Sequence, residues 1–323
     1  MSDRYLWNKS GEPDPEIERL ERLLGRFQHR GAPPLLPRRI PFWHRQLAIA
    51  ASILVTVSAA WLATRGPRPE WSVALVEGAP RVGSRAIVGS AWLGEGEWLE
   101  TGAASRASMR VASIGQVDVE PNTRLRLDKT RADEHRIRLE RGSITAMIYA
   151  PARTFFVNTP SATAVDLGCR YSLDVDEQGA GLLRVILGWV GFEHRGLESF
   201  IPEGALCATR PGRLGTPYYE DSSEAFRAAL RRFDFEQGPL TEVLAEARRR
   251  DALTLWHLLV RAEPAGVGRV YDKMAELVPP PPGVTREGVL RRDKRMHDLW
   301  WDALGLENIE WWRKWKGLAP PVK

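Results

Sequence analysis

Residues 108–140 read SMRVASIGQVDVEPNTRLRLDKTRADEHRIRLE, and four short runs inside them alternate polar and apolar side chains. The runs are Ser108-Met-Arg-Val-Ala112, Gln116-Val-Asp-Val-Glu120, Arg124-Leu-Arg-Leu-Asp128 and Arg136-Ile-Arg-Leu-Glu140. A period of two places every second side chain on one face, as a strand needs when one face meets a core and the other meets water. Gly102, Gly115, Pro121-Asn122, Gly142, Pro160, Gly168, Gly179 and Gly188 punctuate this region at intervals of roughly ten residues, a rhythm of turns between short strands. The pattern predicts an antiparallel all-β unit, sandwich or jelly-roll-like, over residues 65–219.

Before it lies Gln46–Thr64, QLAIAASILVTVSAAWLAT, an uncharged stretch flanked by Arg45 and Arg65. At 1.5 Å per residue a helix of that length reaches about 28 Å, close to the hydrocarbon thickness of a bilayer. The stretch is therefore expected to form a single transmembrane helix over 46–64. Arginines are more frequent in the 20 residues before it than in those after it, which orients the N-terminus inwards. That reading gives a protein of the bacterial inner membrane, with a cytoplasmic tail at 1–45 and residues 65–323 in the periplasm.

Within the tail, Ile17, Leu20, Leu24 and Phe27 recur at helical spacing after Pro13-Asp14-Pro15, and Glu16, Glu18 and Glu21 crowd the start. This predicts one amphipathic helix of about three turns. Such a helix cannot bury its own apolar stripe, so it wants a partner protein or a bilayer surface. Past Pro217 the chain turns helical again. Asp221 or Ser222 is placed to cap a first helix, and further helices are expected at 240–247, 252–262, 266–278 and 286–304, with Thr285 as the cap of the last. Residues 220–323 thus form a helical C-terminal domain. The five tryptophans near its end, at 300, 301, 311, 312 and 315, are read mainly as caps of a small core.

The β region resembles the FecR family of membrane-anchored regulators. The matching pieces run in order: Gly96-Glu-Trp-Leu-Glu-Thr-Gly102, Ala104-Ser-Arg-Ala-Ser-Met109, Gly115-Gln-Val-Asp-Val-Glu-Pro-Asn122, Leu139-Glu-Arg-Gly142, Phe156-Val-Asn-Thr-Pro160, Asp166-Leu-Gly168 with Tyr171, and Val185 to Val190 through Gly188. Gly102, Gly115, Gly142 and Gly168 are expected where a strand ends and the chain reverses, often with positive φ, and Pro121-Asn122 as a turn pair. The resemblance implies an anti-sigma-like regulator that relays an envelope signal to an extracytoplasmic-function sigma factor. Ile17, Leu20, Leu24 and Phe27 then become the partner-binding face, with Trp7 as an extra anchor.

Forty-six basic against 41 acidic residues leave a net charge of only +5, spread along the chain, so no direct nucleic-acid partner is implied. The six histidines show no metal-ligand spacing, and no phosphate-binding glycine loop or nucleophile motif occurs, so neither a cofactor nor enzymatic activity is expected. His257, inside an apolar helical run, reads as a polar residue partly buried in the core. Cys169 and Cys207 could pair as a disulfide in an oxidising compartment, or stand as two buried thiols. The other function class that fits is an envelope-binding module whose β unit contacts peptidoglycan, a polysaccharide or a protein complex.

Overall fold

The computed structural model describes residues 14–27, 31, 56 and 71–306. The chain divides into two compact units, Met1–Gly66 and Pro67–Lys323.

In the first unit, helix α1 spans Pro15–Leu24 and ends in a single 3-10 turn, Gly25–Phe27. Asp14 starts it: its carboxylate accepts the Glu16 N–H at 2.9 Å, and Pro15 occupies the first turn, where a missing N–H costs nothing. Trp7 and all of Gln46–Thr64 except Thr56 lie outside the described residues. Among the described residues no helix is long and apolar enough to cross a membrane, so the expected single transmembrane helix is not supported. The fold is corrected to a mostly β unit with C-terminal helices.

The second unit carries sixteen strands among its described residues: β1 (Ser72–Glu77), β2 (Arg81–Val82), β3 (Arg85–Ala86), β4 (Ser90–Trp92), β5 (Trp98–Glu100), β6 (Arg106–Val111), β7 (Gly115–Val119), β8 (Arg124–Thr130), β9 (His135–Ile148), β10 (Phe155–Asn158), β11 (Thr163–Val175), β12 (Gly181–His194), β13 (Leu197–Pro202), β14 (Ala205–Arg210), β15 (Arg213–Leu214) and β16 (Tyr218–Tyr219). They join into one sheet along the path β15-β14-β12-β11-β10-β9-β7-β6-β1-β4, with the remaining strands paired at its sides. β10 runs parallel to β9, and the other described pairs are antiparallel. The alternating runs behave as their pattern requires: Met109, Val117, Val119, Leu125, Leu127, Ile137 and Leu139 are all buried, while the residues between them are not.

Three long strands hold the sheet together by changing partners halfway. β9 lies beside β8 and β10 up to Arg141, and beside β7 and β11 from Gly142 onward. β11 passes from β10 to β9, and β12 from β14 to β13. Each change falls at a glycine with positive φ: Gly142 at 95°, Gly168 at 87° and Gly188 at 78°. The expectation that Gly142 and Gly168 end strands is therefore corrected. They kink strands that continue, because a residue in the left-handed region bends the chain without reversing it.

Six α-helices follow among the described residues: α2 (Glu224–Phe235), α3 (Leu240–Glu246), α4 (Ala252–Arg261), α5 (Pro264–Leu277), α6 (Arg286–Leu290) and α7 (Lys294–Ala303). Ser223 caps α2, accepting the Phe226 N–H at 3.2 Å, whereas Ser222 bonds Asp251 and Asp221 holds Arg250. Thr285 caps α6 through the Gly288 N–H. The last helix expected from sequence is in fact two, broken at Arg292, whose φ is 59°; Asp293 restarts the chain by accepting the Arg295 and Met296 N–H groups. The helices share one continuous apolar core with the sheet. α4 is their centre, with every residue from Ala252 to Leu259 buried.

Candidate functional site

The described candidate partner-binding residues lie on α1 and, for Phe27, on the 3-10 turn that ends it, and neither buries a side chain. Leu20, Leu24 and Phe27 are 56 %, 62 % and 85 % exposed, and Ile17 is half-buried. Leu23, 52 % exposed, belongs to the same stripe, three residues beyond Leu20. Sequence reading passed over it although its spacing was the available signal. The opposite face carries Glu18 and Arg22, which pair at 3.6 Å. The outcome is an apolar stripe opposite an ion-paired polar face, a surface suited to a groove of complementary shape.

The family-type turn residues gather at two places. Gly102 and Pro121-Asn122 meet directly, the Asn122 N–H donating to the Gly102 carbonyl at 3.2 Å, while Asn122 takes a φ of 58° in the turn between β7 and β8. Thr123 binds them to the first kink, since its Oγ1 accepts the Ser143 N–H at 2.9 Å next to Gly142. A Cβ at Gly142 would lie 2.3 Å from the Thr123 Cα, and one at Gly115 2.3 Å from the Met147 carbonyl oxygen. Gly168 and Gly188 form the second place: a Cβ on Gly188 would stand 2.4 Å from the Gly168 oxygen. Close backbone approach demands glycine at Gly115, Gly142 and Gly188, and positive φ adds to that demand at Gly142 and Gly188 and acts alone at Gly168.

Beside that second kink sits a buried group that the sequence did not announce. Asp166 is 1 % exposed, accepts the Gly168 N–H at 2.8 Å and lies 2.8 Å from the Cys169 sulfur. Burial pushes its carboxyl up to about 7, against the pull of the Cys169 thiol and the Gly168 N–H. Burial, then the Asp166 charge, raises the Cys169 thiol well above the usual range, so it is not poised as a nucleophile.

Of the two arrangements open for Cys169 and Cys207, a disulfide or two buried thiols, the structure has the second: both are free and buried. Cys169 faces Gly188 and Cys207 faces Leu183, on opposite sides of β12. That separation is about 10 Å across the strands and about 16 Å along them, beyond the reach of a disulfide. Cys207 is pushed up to about 12, chiefly by burial.

Where the helices dock on the sheet, a polar network lies under the apolar contacts. Arg261, at the end of α4, donates to the Gly215 carbonyl at 2.6 Å and the Ser199 hydroxyl at 2.5 Å. Asp234 of α2 accepts the Thr216 N–H at 2.7 Å and its hydroxyl at 2.9 Å. His257, read from sequence as partly buried, is fully enclosed. Trp301 closes the seam against Trp256 at 4.6 Å, Trp189 at 5.8 Å and Phe200 at 5.9 Å between ring centres. Among the described residues no group of three or more His, Cys, Asp or Glu side chains could hold a metal ion.

Residues 97–190 match the FecR protein family. Two crystal structures of a candidate anti-sigma factor from Parabacteroides distasonis ATCC 8503 are similar to the chain. The one at 1.65 Å is 13 % identical, with a TM-score of 0.35 over 38 % of this chain and 60 % of that one. The one at 2.50 Å is 14 % identical, with a TM-score of 0.35 over 42 % and 64 %. The chain therefore spans less than two thirds of the length of either. No curated protein matches it.

Proposed function

We propose that this chain is a non-enzymatic regulator that binds a sigma factor through α1, the FecR segment serving as the part that receives a signal. The observation that carries the reading is the unburied stripe of Ile17, Leu20, Leu23, Leu24 and Phe27 in the same chain as the FecR match. Three exposed leucines and a phenylalanine on so short a helix are a cost in water unless a partner covers them, and burying one such side chain is worth about 1.5–3 kcal/mol. The ends of the helix already have their caps and charges, so the stripe is the remaining unsatisfied feature.

The test is co-purification of the full chain with the sigma factors of its own cell. The parent should retain one of them, and the double variant Leu20→Asp, Leu24→Asp should release it and alter transcription from that factor's promoters. Because α1 contributes no buried residue, melting of the β and helical unit should be the same in both proteins. Equal retention by parent and variant would remove the sigma-factor reading.

A further inference from the structure

The kink at Gly168 and Gly188 carries more chemistry than a bend requires. At this point β11 leaves β10 and joins β9, and the register against β12 slips between Asp166 and Cys169. The slip leaves Leu167 and Gly168 as the bulge, so Asp166 and Cys169 point to the same, inner side. Three polar side chains are thereby enclosed in an apolar core: Asp166, Cys169 and Tyr171, which are 1 %, 4 % and 0 % exposed. Among the described residues the Tyr171 hydroxyl has no hydrogen-bond partner. A buried carboxyl without a cation is costly when ionised and tolerable when protonated.

No compensating charge comes from the neighbouring elements. On β11 itself the titratable neighbours are Cys169 and Tyr171, with Arg170 exposed on the outer face. The paired stretches of β9 (Ala146 and Met147) and β10 (Phe156) bring none. β12 sets Val190 opposite Asp166 and carries Glu193 further along, opposite Thr163. Arg153 gives its backbone N–H to the Asp166 carbonyl at 2.8 Å, but its guanidinium reaches Glu193 at 2.8 Å. Burial, the Cys169 thiol and the Gly168 N–H alone set the proton affinity of Asp166.

We infer that the β11–β12 kink is a proton-controlled joint, closed while the Asp166 carboxyl is protonated and loosened when it ionises and draws water into the core. The midpoint falls at about 7, so the joint changes state near neutrality. The direction follows from linkage. A carboxyl with a raised affinity in the folded state stabilises the closed form at low pH and loses that contribution as pH rises through the midpoint. The thiol is the main donor to the ionised form, so its removal should move the midpoint upward.

The test is a carboxyl-carbon NMR titration of the full chain labelled in its aspartates, with amide exchange followed in parallel, on the parent, Asp166→Asn and Cys169→Ala. One aspartate should titrate near pH 7 in the parent and be missing from Asp166→Asn. Between pH 6 and 8, protection factors at Cys169–Tyr171 and Gly188–Val190 should fall at least tenfold in the parent and stay level in Asp166→Asn. In Cys169→Ala both midpoints should lie at higher pH. An Asp166 midpoint below 5, level protection in the parent, or a fall that persists in Asp166→Asn would overturn the proposal. If Asp166→Asn does not fold, Cys169→Ala decides, and an unchanged or lowered midpoint there counts against the joint.

Discussion

The imidazole Nε2 of His257 accepts the backbone N–H of Phe200 at 3.0 Å. Its Nδ1 lies 2.8 Å from the Leu253 carbonyl, so the ring is the neutral tautomer with the proton on Nδ1. Burial, then the charge of Arg261, lowers its affinity to about 3. Protonation would turn the acceptor of the Phe200 N–H into a second donor, and the contact joins β13 to α4. The unfolded ring titrates near 6.5, so its contribution is complete above that value. It is lost as pH falls towards 3, at most about 5 kcal/mol in all. We expect chemical denaturation between pH 7 and 4 to show a shallower acid loss for His257→Leu than for the parent. The variant should also be about 1–3 kcal/mol weaker at pH 7, from the unpartnered Phe200 N–H. The same acid slope in both would refute the assignment. Asp166 works in the opposite direction over this range, which is why the comparison uses the difference between the two proteins.

Gly142 and Gly196 both take positive φ, 95° and 83°, yet a Cβ at Gly196 would meet nothing within 4 Å while one at Gly142 would strike Thr123. Gly196→Ala should therefore cost about 1 kcal/mol, the dihedral penalty alone. Gly142→Ala should cost more than 3 kcal/mol or prevent folding, because the Thr123 backbone has to move and Thr123 also holds Ser143. Denaturation midpoints of the two variants side by side check this; equal losses would mean that the kink does not depend on close approach.

The period-two runs between 108 and 140 declared their strands because each has one buried and one wet face, and Met109 to Leu139 fill the core they implied. The glycines declared positive φ but not its consequence. A turn and a kink require the same dihedral, and only the continued pairing of β9 and β11 past Gly142 and Gly168 separates them. The stripe on α1 was legible for the same periodic reason, with Leu23 the omission. Asp166, Asp234 and Arg261 were not legible, since a charged residue in sequence carries no sign of burial and their partners lie on other strands and helices. For Cys169 and Cys207 the sequence left a pair and two buried thiols open, and only strand order, which sets them on either side of β12, decides between them.

Both thiols lie inside the core, and the structure places no disulfide between them. Melting of the purified protein should be unaffected by reductant. A thiol reagent should modify neither cysteine in the native state and both once denaturant is added. Two slow native modifications, or a melting temperature that drops with reductant, would contradict the strand order around β12.

Trp301 is fully buried and touches the sheet through Trp189 and Phe200 and the helices through Trp256. Replacing it with Ala removes one of the tryptophans of that seam and leaves a cavity its rigid neighbours cannot fill, a loss of about 3–5 kcal/mol. The polar layer beneath responds differently. Arg261→Met keeps much of the volume but removes the guanidinium donor from the Gly215 carbonyl, which keeps only the weak Cys207 thiol, and from the Ser199 hydroxyl, and it takes from Asp234 its nearby positive charge. Asp234 is already raised by burial, with only Thr216 and Arg261 to favour its charge. In Arg261→Met we therefore expect Asp234 to titrate at still higher pH, so stability should decline with rising pH more steeply than in the parent. Trp301→Ala should lower stability by the same amount at every pH. If the two variants share one pH profile, the apolar seam and the charged layer are not separable contributions to docking.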